Sequence, residues 1–245
     1  MEKLIEAFNK YTDKYDKRIM ENNLKYNHSI AVMELMGELA FRLDLNKEKI
    51  ELARVIGLLH DVGRFPQFME YKSFSDDNID HAEIGADYLF KEGHIRDFLD
   101  DDKYDSIIEK AIRNHNKFMV SDDLSDEELL FTKMIRDMDK VDIYKQSAIN
   151  YTNLFIAKDA NFEILESFKN EKMVDKKLKK TKTDSTLLML GLVFDINFNE
   201  SFDILVDTDN FDLYLSTIEV SDDSEKLFRK IKEIVFDKIN RGIGD

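Results

Sequence analysis

Four of the five histidines in this 245-residue chain sit on apolar stripes. His28 is followed by Val32, Leu35 and Leu39; His60 trails Leu52, Ala53 and Ile56; His81 precedes Ile84, Tyr88 and Leu89; His115 follows Ile108, Ala111 and Ile112. Residues three or four apart share a helix face, so each imidazole points toward a packed side. Asp139 shares its stripe with Phe131 and Ile135, and Asp61 directly follows His60. An ionised carboxylate buried without a partner costs several kcal/mol, so these groups need one in common. Taken alone, a histidine on an apolar face is more often a core residue with one satisfied hydrogen bond. Four of five in that position, with two aspartates, point instead to a divalent metal centre, since imidazole and carboxylate together suit Zn, Mn, Fe and similar ions. His60 and Asp61 then anchor the metal near the end of their helix, where the chain departs at Gly63. A carboxylate has two oxygens and can span two ions, which makes Asp61 the expected bridge. His94 follows Gly93 and lacks the pattern; it reads as a surface residue.

The order His28, His60-Asp61, Asp139 resembles the HD-domain metal-dependent phosphohydrolases. The local texts agree: "LLHDVGR" at the doublet, "DHAEIGA" at 80–86, "AIRNHN" at 111–116 and "RDMDKVD" at 136–142, so the resemblance spans roughly residues 24–145. "HDVGRFPQ" and the later "FDINF" at 194–198 are similar to a bacterial subgroup of that family with a poorly defined substrate. The resemblance implies His28, His60, Asp61 and Asp139 around one metal, and His81 and His115 on a second that Asp61 bridges. It thus implies two divalent ions, with Mn, Fe, Mg, Ni and Zn undistinguished. Asn116 after His115 and the absence of a Gly-Tyr-Pro text depart from the cyclic di-GMP phosphodiesterases of the family. The activity implied is a phosphatase or phosphodiesterase acting on a nucleotide or another small phosphate ester, with Asp61, Arg64 and Lys140 as the catalytic set. Arg64 and Lys140 stand evenly between substrate contact and support of the ligands. Lys25, Lys117 and Glu83 read as solvated charges, and Asp137 and Asp142 as supports for Asp139 or Arg64. Phe65, Phe68, Tyr71, Phe74 and Tyr144 could stack on a base, but aromatics this common are more often core. Two other classes compete: a regulatory or scaffold protein with a structural metal, and a metal-dependent hydrolase of a non-phosphate substrate.

Helices must position these groups. Only 8 Gly and 1 Pro are present, too few for the turns of a β-sandwich, and helix-tolerant Lys, Glu and Leu abound. The fold expected is all-α, an HD-domain helical bundle with a helical C-terminal extension. The core covers 1–150, and 151–245 packs on it within the same domain, capping or shaping the pocket. Periodicity predicts one helix or a pair over 1–25, then helices over about 29–43, 47–63, 81–91 and 104–115. Pro66 should end the third region and open a loop, and 73–80 is polar loop. Ser125 and Glu128 form a capping box that opens a helix running past Asp139. The basic run 172–182 reads as a solvated helix face. Two or three helices follow Thr183, the last from about Ser224.

Net charge is −15, which argues against an extended nucleic-acid grip; a small anionic substrate stays open because a metal inverts the local field. Without cysteine there is no disulfide, thiolate zinc site or cysteine nucleophile. The start, "MEKLIE", is unlike a signal peptide and no apolar run reaches membrane-span length. The expectation is a cytoplasmic protein with a small phosphorylated substrate and no membrane partner, homo-oligomerisation being left open.

Overall fold

A glycine permits the close contact of two long helices. A Cβ on Gly57 would lie 2.8 Å from both the Met33 Cα and the Val32 carbonyl oxygen, so helix α3 (Lys47–Leu59) lies backbone against backbone on helix α2 (Met20–Arg42). In this computed structural model, residues 1–76, 79–150 and 154–243 are described. Asp77 and Asn78, within the loop expected over 73–80, and residues 151–153, at the expected boundary, lie outside them.

The fold is all-α. Helix α1 (Glu2–Thr12) comes first, and α2 follows as one continuous helix from Met20, nine residues before the expected start at 29. Asn46 caps α3 by accepting a hydrogen bond from the Lys49 amide. Helix α3 ends at Leu59, and a tight turn over 60–63 leads straight into α4 (Arg64–Tyr71). Pro66 therefore does not open a loop. It is the third residue of α4, in the first turn, where the amide it lacks would have had no helical partner. The carbonyls freed in the turn are used: Leu59 accepts from the Val62 amide, Asp61 from the Arg64 amide, and Val62 from the Tyr11 hydroxyl of α1 at 2.8 Å.

Helix α5 (His81–Ala86) starts on an Asp80 cap and runs into a π-helical turn over Asp87–Lys91, matching the expected span 81–91. Helix α6 is Asp105–Asn114 and α7 is Asp126–Asn150. The capping box is present: the Ser125 amide donates to Glu128 Oε2 at 2.8 Å and the Glu128 amide to Ser125 Oγ at 3.3 Å. Val32, Met36 and Leu39 of α2, Ile56 and Leu59 of α3, Ile108 and Ile112 of α6 and Phe131, Met134 and Ile135 of α7 are buried.

The chain divides into two compact units, Met1–Asp139 and Lys140–Asp245, and α7 crosses from one into the other. The second unit holds more helices than expected. Helices α8 (Phe162–Lys169), α9 (Lys182–Leu190), α10 (Asn199–Asp207), α11 (Asn210–Ser216) and α12 (Glu225–Gly242) accompany a two-residue parallel strand pair, Phe155–Ile156 with Glu219–Val220. The lysines of the basic run are exposed as expected, but they lie in loop and a short 3-10 turn ahead of α9, apart from Lys182, which opens that helix. Thr181 and Asp184 form a capping box there, and the buried Asp184 carboxylate also accepts from the Asn161 and Lys180 amides. Tyr144 is buried in this unit against Phe211 and Tyr214. Among the described residues no helix is long and apolar enough to cross a membrane.

Candidate metal centre

Four helices and one turn deliver the predicted ligands to one place. His28 projects from α2, His60 and Asp61 from the turn after α3, His81 from the first position of α5, His115 from the end of α6, and Asp139 from α7. The four histidines and Asp61 are buried; Asp139 is the most open of the six, its side chain 17% exposed.

The donor atoms fall into two sets that meet at Asp61. His28 Nε2 lies 3.3 Å from His60 Nε2, 3.1 Å from Asp139 Oδ1 and 3.5 Å from Asp61 Oδ2. His60 Nε2 lies 3.6 Å from Asp139 Oδ1 and 3.7 Å from Asp61 Oδ2. On the other side, Asp61 Oδ1 lies 3.2 Å from His81 Nε2 and 3.8 Å from His115 Nε2, and those two nitrogens are 2.9 Å apart. Ligands at about 2.1 Å from one ion stand about 3.0 Å apart at octahedral corners and about 3.4 Å apart at tetrahedral ones. The separations among His28, His60 and Asp139, and among His60, Asp61 and His115, are short enough for a shared ion, and the donors fit a divalent metal.

The far sides of the rings fix their tautomers. His60 Nδ1 donates to the Gly57 carbonyl and His115 Nδ1 to the Ile112 carbonyl, each at 2.7 Å. A carbonyl can only accept, so the proton is on Nδ1 and the inward Nε2 carries a lone pair. His81 Nδ1 faces Asp76 Oδ1 at 2.7 Å, the carboxylate–histidine arrangement that orients and strengthens metal ligands. Burial pushes the His115 imidazole down to about 4, only partly opposed by the neighbouring Asp61 carboxylate. Burial pushes the Asp61 carboxyl up, but Lys25, His60 and the other histidines more than offset it and hold it well below the usual range. Asp139 behaves alike, with His28 and His60 as the opposing partners. Burial also raises Asp76, and His81, Arg64 and Gln67 outweigh it. The carboxylates are thereby ionised, the protonation state that metal ligation requires of them.

Two residues escaped the sequence reading. Asp76 collects the Arg64 guanidinium (3.0 and 3.3 Å), the Gln67 amide and His81, pinning the segment after α4 to the ligand helix. Lys25, expected as a solvated charge, has its ammonium 2.7 Å from Asp61 Oδ2 with its side chain 13% exposed. A signal for Lys25 existed: it is three residues before His28 and shares that ligand's helix face. Asp76 has none, because a loop has no periodicity to read.

Of the predicted catalytic set, Asp61 and Arg64 come together, with Arg64 Nε 3.6 Å from Asp61 Oδ1. Lys140, next to Asp139 on α7, turns its ammonium to Asp195 at 2.7 Å. Asp137 and Asp142 are buried. Lys117 is half-buried in ion pairs with Asp80 and Glu83 rather than solvated. His94 is exposed and stacks on Tyr88, away from the other histidines. Phe65 and Phe68 are core and Tyr71 is exposed, whereas the Phe74 ring is close to two cations, with Lys25 Nζ 5.5 Å and Arg64 Cζ 5.8 Å from its centre.

Residues 26–144, which include all six ligands, match the HD domain family. The chain carries an HD domain. The buried His-Asp doublet at 60–61 is the pair that gives the family its name, and HD domains are metal-dependent hydrolases. No curated protein and no solved structure matches the chain.

Proposed function

We propose that this HD-domain protein is a metal-dependent phosphohydrolase, acting on a nucleotide or another small phosphate ester at a centre built for two ions. The observation that supports it is the division of labour at Asp61, whose Oδ2 faces His28 and His60 while Oδ1 faces His81 and His115. Bound there, divalent ions supply a nucleophile from water at neutral pH and positive charge for an anionic phosphoryl group.

The chain's own residues do the rest. The backbone carbonyls of Gly57 and Ile112 hold His60 and His115 in the tautomer that presents a lone pair inward. Asp76 does the same for His81 and ties it to Arg64. Arg64 Nε is buried with no hydrogen-bond partner among the described residues and is the donor we assign to the substrate. Lys140, paired with Asp195, takes a supporting role. In a chain of net charge −15, the local positive charge has to come from the ions and these cations.

The test is release of phosphate or nucleoside from nucleotides, cyclic nucleotides and sugar phosphates by protein loaded in turn with Mn, Fe(II), Mg, Ni and Zn. Turnover lost in Asp61→Ala is expected. Silence across the panel with metal bound would contradict a phosphohydrolase and favour a non-phosphate substrate.

A further inference from the structure

Several cations around the centre are already committed. The Arg64 Nη groups are engaged by Gln67, the Phe74 carbonyl and Asp76; Arg136 lies on the carbonyls of Asn114, His115 and Lys117; Lys117 is shared by Asp80 and Glu83. Lys25 differs. An ammonium has three N–H donors, and among the described residues Asp61 Oδ2 is the one hydrogen-bond acceptor it meets. Its remaining neighbour is the Phe74 ring, and its side chain is 13% exposed. Two donors on a largely desolvated cation are thus left over beside the oxygen that joins the two ligand sets.

Holding Asp61 needs only one of those donors. A carboxylate oxygen has a second lone pair, so Oδ2 can accept from Lys25 and still ligate. A group that then satisfies the other two N–H donors has to be anionic, rich in acceptors and close to the centre. A phosphoryl group with its terminal oxygens fits that description.

We propose that Lys25 is a substrate-binding residue of the centre, bridging Asp61 and a phosphoryl oxygen and thereby selecting an anionic, phosphate-bearing substrate. This rests on the phosphohydrolase reading above. Lys25 anchors the phosphoryl group from α2, beside the same carboxylate that Arg64 approaches from α4.

The experiment measures binding of inorganic phosphate to metal-loaded protein by calorimetry, with metal content on the same samples, for wild type, Lys25→Gln and Lys25→Arg. The expected result is phosphate binding weakened about 10- to 100-fold in Lys25→Gln, with metal content unchanged and partial recovery in Lys25→Arg. KM for any hydrolysed ester should rise with it. Wild-type phosphate affinity in Lys25→Gln would overturn the assignment while leaving the phosphohydrolase reading intact. Loss of metal in Lys25→Gln would also overturn it, making Lys25 a support of Asp61. A wild-type protein that holds metal yet neither binds phosphate nor cleaves any ester would remove the phosphohydrolase reading and this proposal together.

Discussion

The Nε2 atoms of His81 and His115 stand 2.9 Å apart, and neither has a proton to offer the other. Each ring has its Nδ1 on an acceptor, Asp76 Oδ1 for His81 and the Ile112 carbonyl for His115. Two lone pairs face each other in a buried space beside an ionised Asp61. His115 does not relieve the contact by taking a proton at neutral pH, because burial holds it near 4. A cation does. On the other side His60, its Nδ1 on the Gly57 carbonyl, brings Nε2 to 3.3 Å from His28 Nε2.

The two pairs should therefore be separable. His115→Ala is expected to lower the bound metal from two ions to one, because its set loses a ligand while His28, His60 and Asp139 remain. His28→Ala should remove the other ion. Elemental analysis of purified protein reads this directly, and unchanged stoichiometry in both variants would contradict the two-set arrangement.

Acid should empty the site and weaken the fold. His115 sits at about 4 when folded against about 6.5 for a free imidazole. Between those values the unfolded chain binds more protons, so stability falls as pH falls. The contribution is fully present above about 6.5 and lost through about 4, on the order of 3 kcal/mol. The depressed carboxyls of Asp61 and Asp139 extend the loss to still lower pH. Chemical denaturation of metal-free protein at pH 7, 5.5 and 4.5 checks the sign.

Asp76→Asn keeps the shape and removes the charge behind His81 and Arg64. Loss of such a partner typically costs about 10- to 100-fold in metal affinity. Competition with a chelator should show that loss for the ion on His81 and His115 and little for the ion on His28 and His60.

Gly57→Ala places a methyl against the backbone of α2, 2.8 Å from Met33 Cα and Val32 O. Neither atom can swing aside, so the helices must separate, at a cost of about 1–3 kcal/mol. The same separation draws His28 from His60, so the melting temperature and metal affinity should fall together. A variant that loses neither would show that the helix contact is looser than the backbone distances indicate.

How much of this was legible follows from what each residue depends on. The residues of the candidate centre were readable because a polar group on an apolar stripe violates the helical pattern, and each violation sits on one helix. Their pairing came from the family resemblance and not from periodicity, since the 60–63 turn that splays His60 and Asp61 depends on Gly63, where a Cβ would meet the His81 carbonyl oxygen at 2.1 Å. Pro66 misled because its meaning depends on its position in a helix whose start was unknown. Asp76 acts from a loop, and the second unit is built from short helices whose apolar stripes last barely two turns.

The central claim is that Asp61 joins two metal sites into one hydrolytic centre. The most direct measurement takes metal content and phosphate-ester hydrolysis on the same samples of wild type, Asp61→Ala and His94→Ala. Two ions and turnover are expected in the wild type and in His94→Ala, whose exposed ring lies away from the centre. Neither is expected in Asp61→Ala. An Asp61→Ala protein that keeps its metal and hydrolyses at the wild-type rate would contradict the claim.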